Sequence, residues 1–160
     1  MGQHNLAIRL AEGIASAPAL YERLVVVAGG GETSVGAVFH EVAEATQGAC
    51  VDVSLKLSHA MLELTGHQRP LEVSRLLEEI LDGEVGSAVF LMNIELLFLP
   101  ALKVEPLRLL QNLSRSRTVV VSWPGSLQSG FLVYAEPGHP EFRRYPIADA
   151  GVVIDASAES

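Results

Sequence analysis

The chain predicts a three-layer α/β fold with a mainly parallel sheet, and three observations carry that expectation. Its strand candidates are short, continuous, valine-rich runs of the kind buried on both faces of a parallel sheet. Segments of helical spacing alternate with them, the order that builds βαβ units. Hydrophobic residues fill 49% of the 160 positions and charged residues only 19%, enough for a sizeable core in a single domain over residues 1–154.

The elements follow in order. Leu6, Leu10 and Ile14 recur every four positions with Ala7, Ala11 and Ala15 beside them, and Pro18 stops this first amphipathic helix. Residues 24–28, Leu-Val-Val-Val-Ala, form a buried strand that ends on Gly29, Gly30 and Gly31. Val35, Val38, Phe39, Val42 and Ala45 then mark a helix with His40, Glu41 and Glu44 outside, so strand, glycine turn and helix stand in sequence. A second strand is expected at 50–53, helices at 57–64 and 71–81, and a third strand at 87–92. Pro106 opens a helix over 107–113; strands are expected at 117–123 and 131–135, with a sixth or edge strand at 151–154. The polar end, 155–160, reads as a flexible tail.

Charge narrows the function classes. The formal net charge is -8 and the pI ≈ 5.0, which excludes coating DNA or anionic membrane by bulk electrostatics. The acid is unevenly placed: residues 1–102 hold 5 basic and 13 acidic groups, whereas residues 103–144 hold 6 basic against 3 acidic. An anion-binding surface is therefore expected late in the chain. Cys50 is the only cysteine and has no partner for an intramolecular disulfide. The first residues lack a basic region followed by an apolar core, and the longest apolar run, 88–102, is broken by Asn93, Glu95 and Pro100. A cytoplasmic protein without a membrane span is the expectation.

The turn after the first strand is where a doubly wound sheet places its ligand. A phosphate loop of the form G-x-x-x-x-G-K-S/T needs glycines to wrap phosphate oxygens, a lysine to neutralise them and a hydroxyl to hold Mg²⁺. With Gly29 as the first glycine, Ser34 takes the place of the second, Val35 that of the lysine and Gly36 that of the hydroxyl residue. With Gly31 and Gly36 as the pair, Ala37 and Val38 follow. Neither frame has the lysine, and Glu32 adds a negative charge to the turn. The candidate positions of this degenerate nucleotide loop are Gly29, Gly30, Gly31, Thr33, Ser34 and Gly36; ATP with Mg²⁺ is the ligand it would take if it still binds.

An acid that holds Mg²⁺ through water should end the third strand. Met92 stands there, Asn93 follows, and Glu95 is the nearest acid, the one catalytic candidate. Both metal anchors are missing together.

Several segments together carry a family resemblance. They are the strand and glycine turn 24–36, Met-Asn-Ile-Glu-Leu-Leu-Phe at 92–98 with Pro-Ala-Leu-Lys at 100–103, residues 106–125 ending Ser-Trp-Pro-Gly, and Tyr-Ala-Glu-Pro-Gly-His-Pro-Glu-Phe at 134–142. The chain resembles the BrxF family, the small P-loop-containing proteins of type 3 BREX anti-phage systems. The resemblance implies a three-layer P-loop NTPase-like domain in a bacterial defence island, beside a DNA methyltransferase, a phosphatase-like protein, a helicase and a large AAA-type ATPase. The family pattern has G-K-S/T in its loop and an Asp before Asn-Ile-Glu, where this chain has Val35, Gly36 and Met92. A catalytically decayed subunit acting through protein contacts, as a homo-oligomer docked on the ATPase or the methyltransferase, is the resulting expectation.

Two other readings use the basic residues. Arg115 or Arg117 could complete a neighbour's phosphate site in an active ATPase. Lys103, Arg108, Arg115, Arg117, Arg143 and Arg144 could instead contact DNA phosphates, with Arg143, Arg144 and Tyr145 pairing charge and ring. As solvated helix-end residues they would do neither. His40, His59, His67 and His139 have no metal-ligand spacing, and residues 125–130 lack G-x-S-x-G, so neither a metal site nor a hydrolase triad is expected. Trp123 beside Pro124 reads as a core or rim residue.

Overall fold

The computed structural model describes residues 2–158, with the side chains of all of these except 2, 3, 32, 33 and 158. The helices are α1 (Gly2–Ser16), α2 (Glu32–Thr46), α3 (Val53–Ala60), α4 (Arg69–Asp82) and α5 (Pro106–Leu113). Strands β1 (Leu24–Ala28), β2 (Ala49–Asp52), β3 (Ala88–Met92), β4 (Thr118–Ser122) and β8 (Val152–Asp155) make one parallel sheet in the order β2-β3-β4-β1-β8. Three short strands, β5 (Ser126–Gln128), β6 (Phe131–Tyr134) and β7 (Arg143–Pro146), make a separate antiparallel sheet between β4 and β8 in the chain.

The valine runs explain the layering. Successive residues of β1 face opposite sides of the sheet. Leu24, Val26 and Ala28 join Val89, Leu91, Val119 and Val121 against α3, α4 and α5. Val25 and Val27 join Phe90, Val120 and Ile154 against α1 and α2. Both faces are dry, so the strands need apolar residues at every position, and all five residues of β1 are buried. Each buried Val or Leu contributes about 1.5–3 kcal/mol relative to exposure. Phe39 of α2 meets Phe90 of β3 edge-on at 5.6 Å, which fixes α2 over the β2–β3 side of the sheet.

The small sheet differs from expectation. The strand foreseen at 131–135 exists as β6, but it pairs antiparallel with β5 and β7 instead of extending the parallel sheet. Aromatic contacts hold it on the main body: Phe98 stacks on Tyr134 at 3.9 Å, and Trp123 meets Tyr145 edge-on at 5.8 Å. Trp123 is buried and donates from Nε1 to the Val133 carbonyl at 3.1 Å, so it is a core residue. At Gly125 an added Cβ would lie 1.8 Å from the Val133 carbonyl oxygen, leaving room only for glycine.

Two further boundaries move. The helix foreseen at 57–64 starts instead at Val53, because the Asp52 side chain accepts from Leu55 N and caps it. The first residues of the tail foreseen from 155 belong to the fold, and residues 159 and 160 lie outside the described residues. Asp155 ends β8 in register with Ala28, and Ala156 is buried against Gly30.

Candidate functional site

Three parallel strands deliver their carboxyl ends to one cavity of ≈ 390 Å³. β1 supplies Gly29 and Gly30, the start of α2 supplies Val35 and Gly36, β3 and its turn supply Met92, Asn93 and Glu95, and β4 supplies Ser122 through Gly125. β4 lies between β1 and β3, while α2 leaves toward one face of the sheet and α5 toward the other. A crevice outside the strand ends, between connections that diverge to opposite faces, is the position where open α/β sheets bind ligands. The structure thus brings the glycine turn and the 92–95 segment together across more than 55 residues of chain.

The turn itself is shorter than a phosphate loop. β1 ends at Ala28, Gly31 is the N-cap of α2, and the first helical hydrogen bond runs from Val35 N to Gly31 O at 2.9 Å. Only three residues connect strand and helix, so Ser34 and Gly36, expected in a loop, lie in the first turns of α2. Gly29 and Gly30 both adopt positive φ, 78° and 70°, to make so tight a turn. Residues 155–157 cover its outside: an added Cβ on Gly29 would lie 2.9 Å from Ser157 Cβ and 3.2 Å from Asp155 Oδ1. The side chains of Glu32 and Thr33 lie outside the described residues.

The end of β3 is locked from the side. Asn93, at φ 55°, donates from Nδ2 to Asp52 Oδ2 at 2.8 Å, and its carbonyl accepts from Ser54 N at 2.9 Å and from the Ser54 hydroxyl. Asp52 stands opposite Met92 in the ladder. It escaped the sequence reading, although an aspartate between a short strand and a helix is an N-cap signal. Its oxygens are committed to Leu55 N and Asn93.

Glu95 is half-buried and, among the described residues, is the one ionisable residue of the cavity wall. Its carboxylate makes no hydrogen bond or ion pair with the described residues. Burial raises the Tyr134 phenol above its ordinary value, and the carboxylates of Glu141 and Glu95 push in the same direction. A phosphate entering here would meet negative charge without a lysine to offset it. At an effective dielectric of 20, each like-charge pair 6 Å apart repels by about 3 kcal/mol.

The six basic residues do not form one surface. Arg115 and Arg117 precede β4, at the amino end of the sheet, about 20 Å from the cavity at 3.3 Å per strand residue. Arg115 reaches Glu22 at 3.4 Å and lies over the Tyr21 ring at 5.1 Å. Arg117 pairs with Asp82 at 2.6 Å, beside a smaller cavity of ≈ 170 Å³. On β7, Arg144 covers the Phe131 ring at 3.9 Å and Arg143 reaches Glu105 at 3.7 Å. Lys103 ends a short helical turn at φ 53°, and Arg108 is an exposed residue of α5. Stacking and ion pairing within the chain thus occupy Arg115, Arg117, Arg143 and Arg144.

Burial raises the Cys50 thiol, which leaves it less thiolate than a free cysteine at neutral pH. Among the described residues no group of three or more His, Cys, Asp or Glu is placed to hold a metal ion. None of their helices is long and apolar enough to cross a membrane. No protein-family model, curated protein or solved structure matches the chain.

Proposed function

We propose that this chain is a cytoplasmic P-loop NTPase-like subunit of a BREX-type anti-phage defence system, with degenerate phosphate and metal positions, acting through protein contacts. The observation that carries the reading is the shared cavity. A glycine turn after the first strand and the Met92–Glu95 segment after the third converge on it, as they must in a phosphate site, yet lysine and aspartate are both absent. The parallel order, with β4 inserted between those two strands, suits that geometry. Exposed leucines on α3, the turn after it and α4, Leu55, Leu62 and Leu71, favour a subunit that works by docking.

The defence role and its partners, a large AAA-type ATPase and a DNA methyltransferase, rest on the resemblance to BrxF. An ATPase completed by Arg115 or Arg117 draws less support, because both are held in pairs at the far end of the sheet. A DNA-binding module draws less support because the basic residues are dispersed. Co-expression with the neighbouring ATPase and methyltransferase, followed by affinity purification, tests the reading: the complex should persist in EDTA and without nucleotide. Failure to associate with either component, or an association that depends on Mg-ATP, contradicts it.

A further inference from the structure

We infer that the cavity at the carboxyl ends of β1, β3 and β4 receives a basic side chain, an arginine or lysine presented by a partner protein. The inference deepens the docking role proposed above but draws on the cavity's chemistry alone. An acceptor-only carboxylate, Glu95, stands in the wall of a ≈ 390 Å³ cavity without a hydrogen-bond or ion-pair partner among the described residues. Ser122 adds a hydroxyl acceptor beside it. Among the described residues no cationic side chain lines the wall, so an incoming guanidinium or ammonium meets no like charge from them.

One feature of the wall pulls the other way. The N-terminus of α2 opens on the cavity and carries about half a positive charge, which favours an anion. The full charge of Glu95 outweighs that half charge. A planar guanidinium fits the remaining space best, since it donates in a fork to a carboxylate and keeps an apolar stem against Val35 and Met92.

The test uses N-acetyl-arginine methylamide as the probe and follows the amides of Gly29, Gly30, Gly36 and Gly125 and the Trp123 indole by NMR. Saturable shifts at these positions are expected, weakening as NaCl rises and about tenfold weaker in Glu95→Gln, with Glu84→Gln at the opposite end of the sheet unchanged. The norleucine analogue and inorganic pyrophosphate should leave the same signals in place. The salt series on the unaltered protein decides the matter if Glu95→Gln fails to fold. Saturation by pyrophosphate, arginine binding insensitive to salt and to Glu95→Gln, or far tighter binding of free agmatine than of the capped arginine would overturn the inference.

Discussion

Asn93 Nδ2 donates to Asp52 Oδ2 at 2.8 Å and ties the carboxyl end of β3 to that of β2 at the edge of the cavity. The other oxygen of Asp52 accepts from Leu55 N at 3.0 Å, so one carboxylate caps α3 and anchors the turn that carries Glu95. Asp52→Ala should destabilise the fold by about 1–2 kcal/mol in urea denaturation, the loss of a cap plus a hydrogen bond. Asp52→Asn keeps one amide oxygen that can accept from Leu55 N but sets an NH2 group against Asn93 Nδ2, so it should retain the cap and lose the tie to Asn93, a smaller loss than in Asp52→Ala. Equal losses in the two variants would show that the carboxylate's contacts do not hold this corner.

The glycines separate into two kinds. Gly36 sits inside α2 and an added Cβ would meet nothing within 4 Å, so Gly36→Ala should stabilise by about 0.5–1 kcal/mol. Gly29 has φ 78° and no room beside Ser157, so Gly29→Ala should destabilise by about 1–2 kcal/mol from the left-handed backbone alone. Thermal denaturation of both variants checks the opposite signs. A phosphate loop extending through Gly36 would make both glycines indispensable in the same sense.

The layers of the fold were legible in the sequence because a strand buried on both faces must be apolar along its buried length, and 24–28 and 119–121 are. The small sheet was not. β5 has three residues and β7 reads Arg-Arg-Tyr-Pro, a polar stretch whose strand form comes from pairing with β6 and from Tyr145 packing on Trp123. Glycine turn and Glu95 could each be singled out from local chemistry, yet their meeting depends on strand order, which no local pattern encodes. The basic residues misled for the converse reason: Arg115 and Arg117 are close in sequence to the cavity residues 122–125, but a strand's length separates them.

Alkaline pH should loosen the attachment of the small sheet. The Tyr145 hydroxyl donates to Glu105, the N-cap of α5, and burial together with that bond holds the phenol well above its ordinary value of 10.0. The folded state therefore keeps its proton where the unfolded chain releases it. The contribution is fully present below pH 10 and is lost as pH rises beyond it toward the folded value. Tyr145→Phe should cost about 1 kcal/mol at neutral pH and flatten the decline above pH 10, measured by denaturation across pH. An unchanged alkaline slope in the variant would assign the decline to other groups.

Arg117 is a structural residue in this fold. Its side chain is 18% exposed, Nη2 pairs with Asp82, and Nη1 is buried without a hydrogen-bond partner. Asp82→Ala leaves a largely buried guanidinium without its carboxylate, held only by the Ser116 hydroxyl at 3.2 Å, and should cost about 1–3 kcal/mol. Arg115→Ala, at a more exposed pair, should cost less than about 1 kcal/mol. Thermal denaturation of the two variants tests the order; a larger loss for Arg115→Ala would reverse the assignment.

The central claim is that a cavity built in the position of a phosphate site has lost the groups that hold phosphate. Calorimetric titration of the purified chain with Mg-ATP, paired with a phosphate-release assay, tests it most directly. No saturable heat up to about 1 mM nucleotide and no release above buffer is the predicted result. Stoichiometric binding with turnover would contradict it.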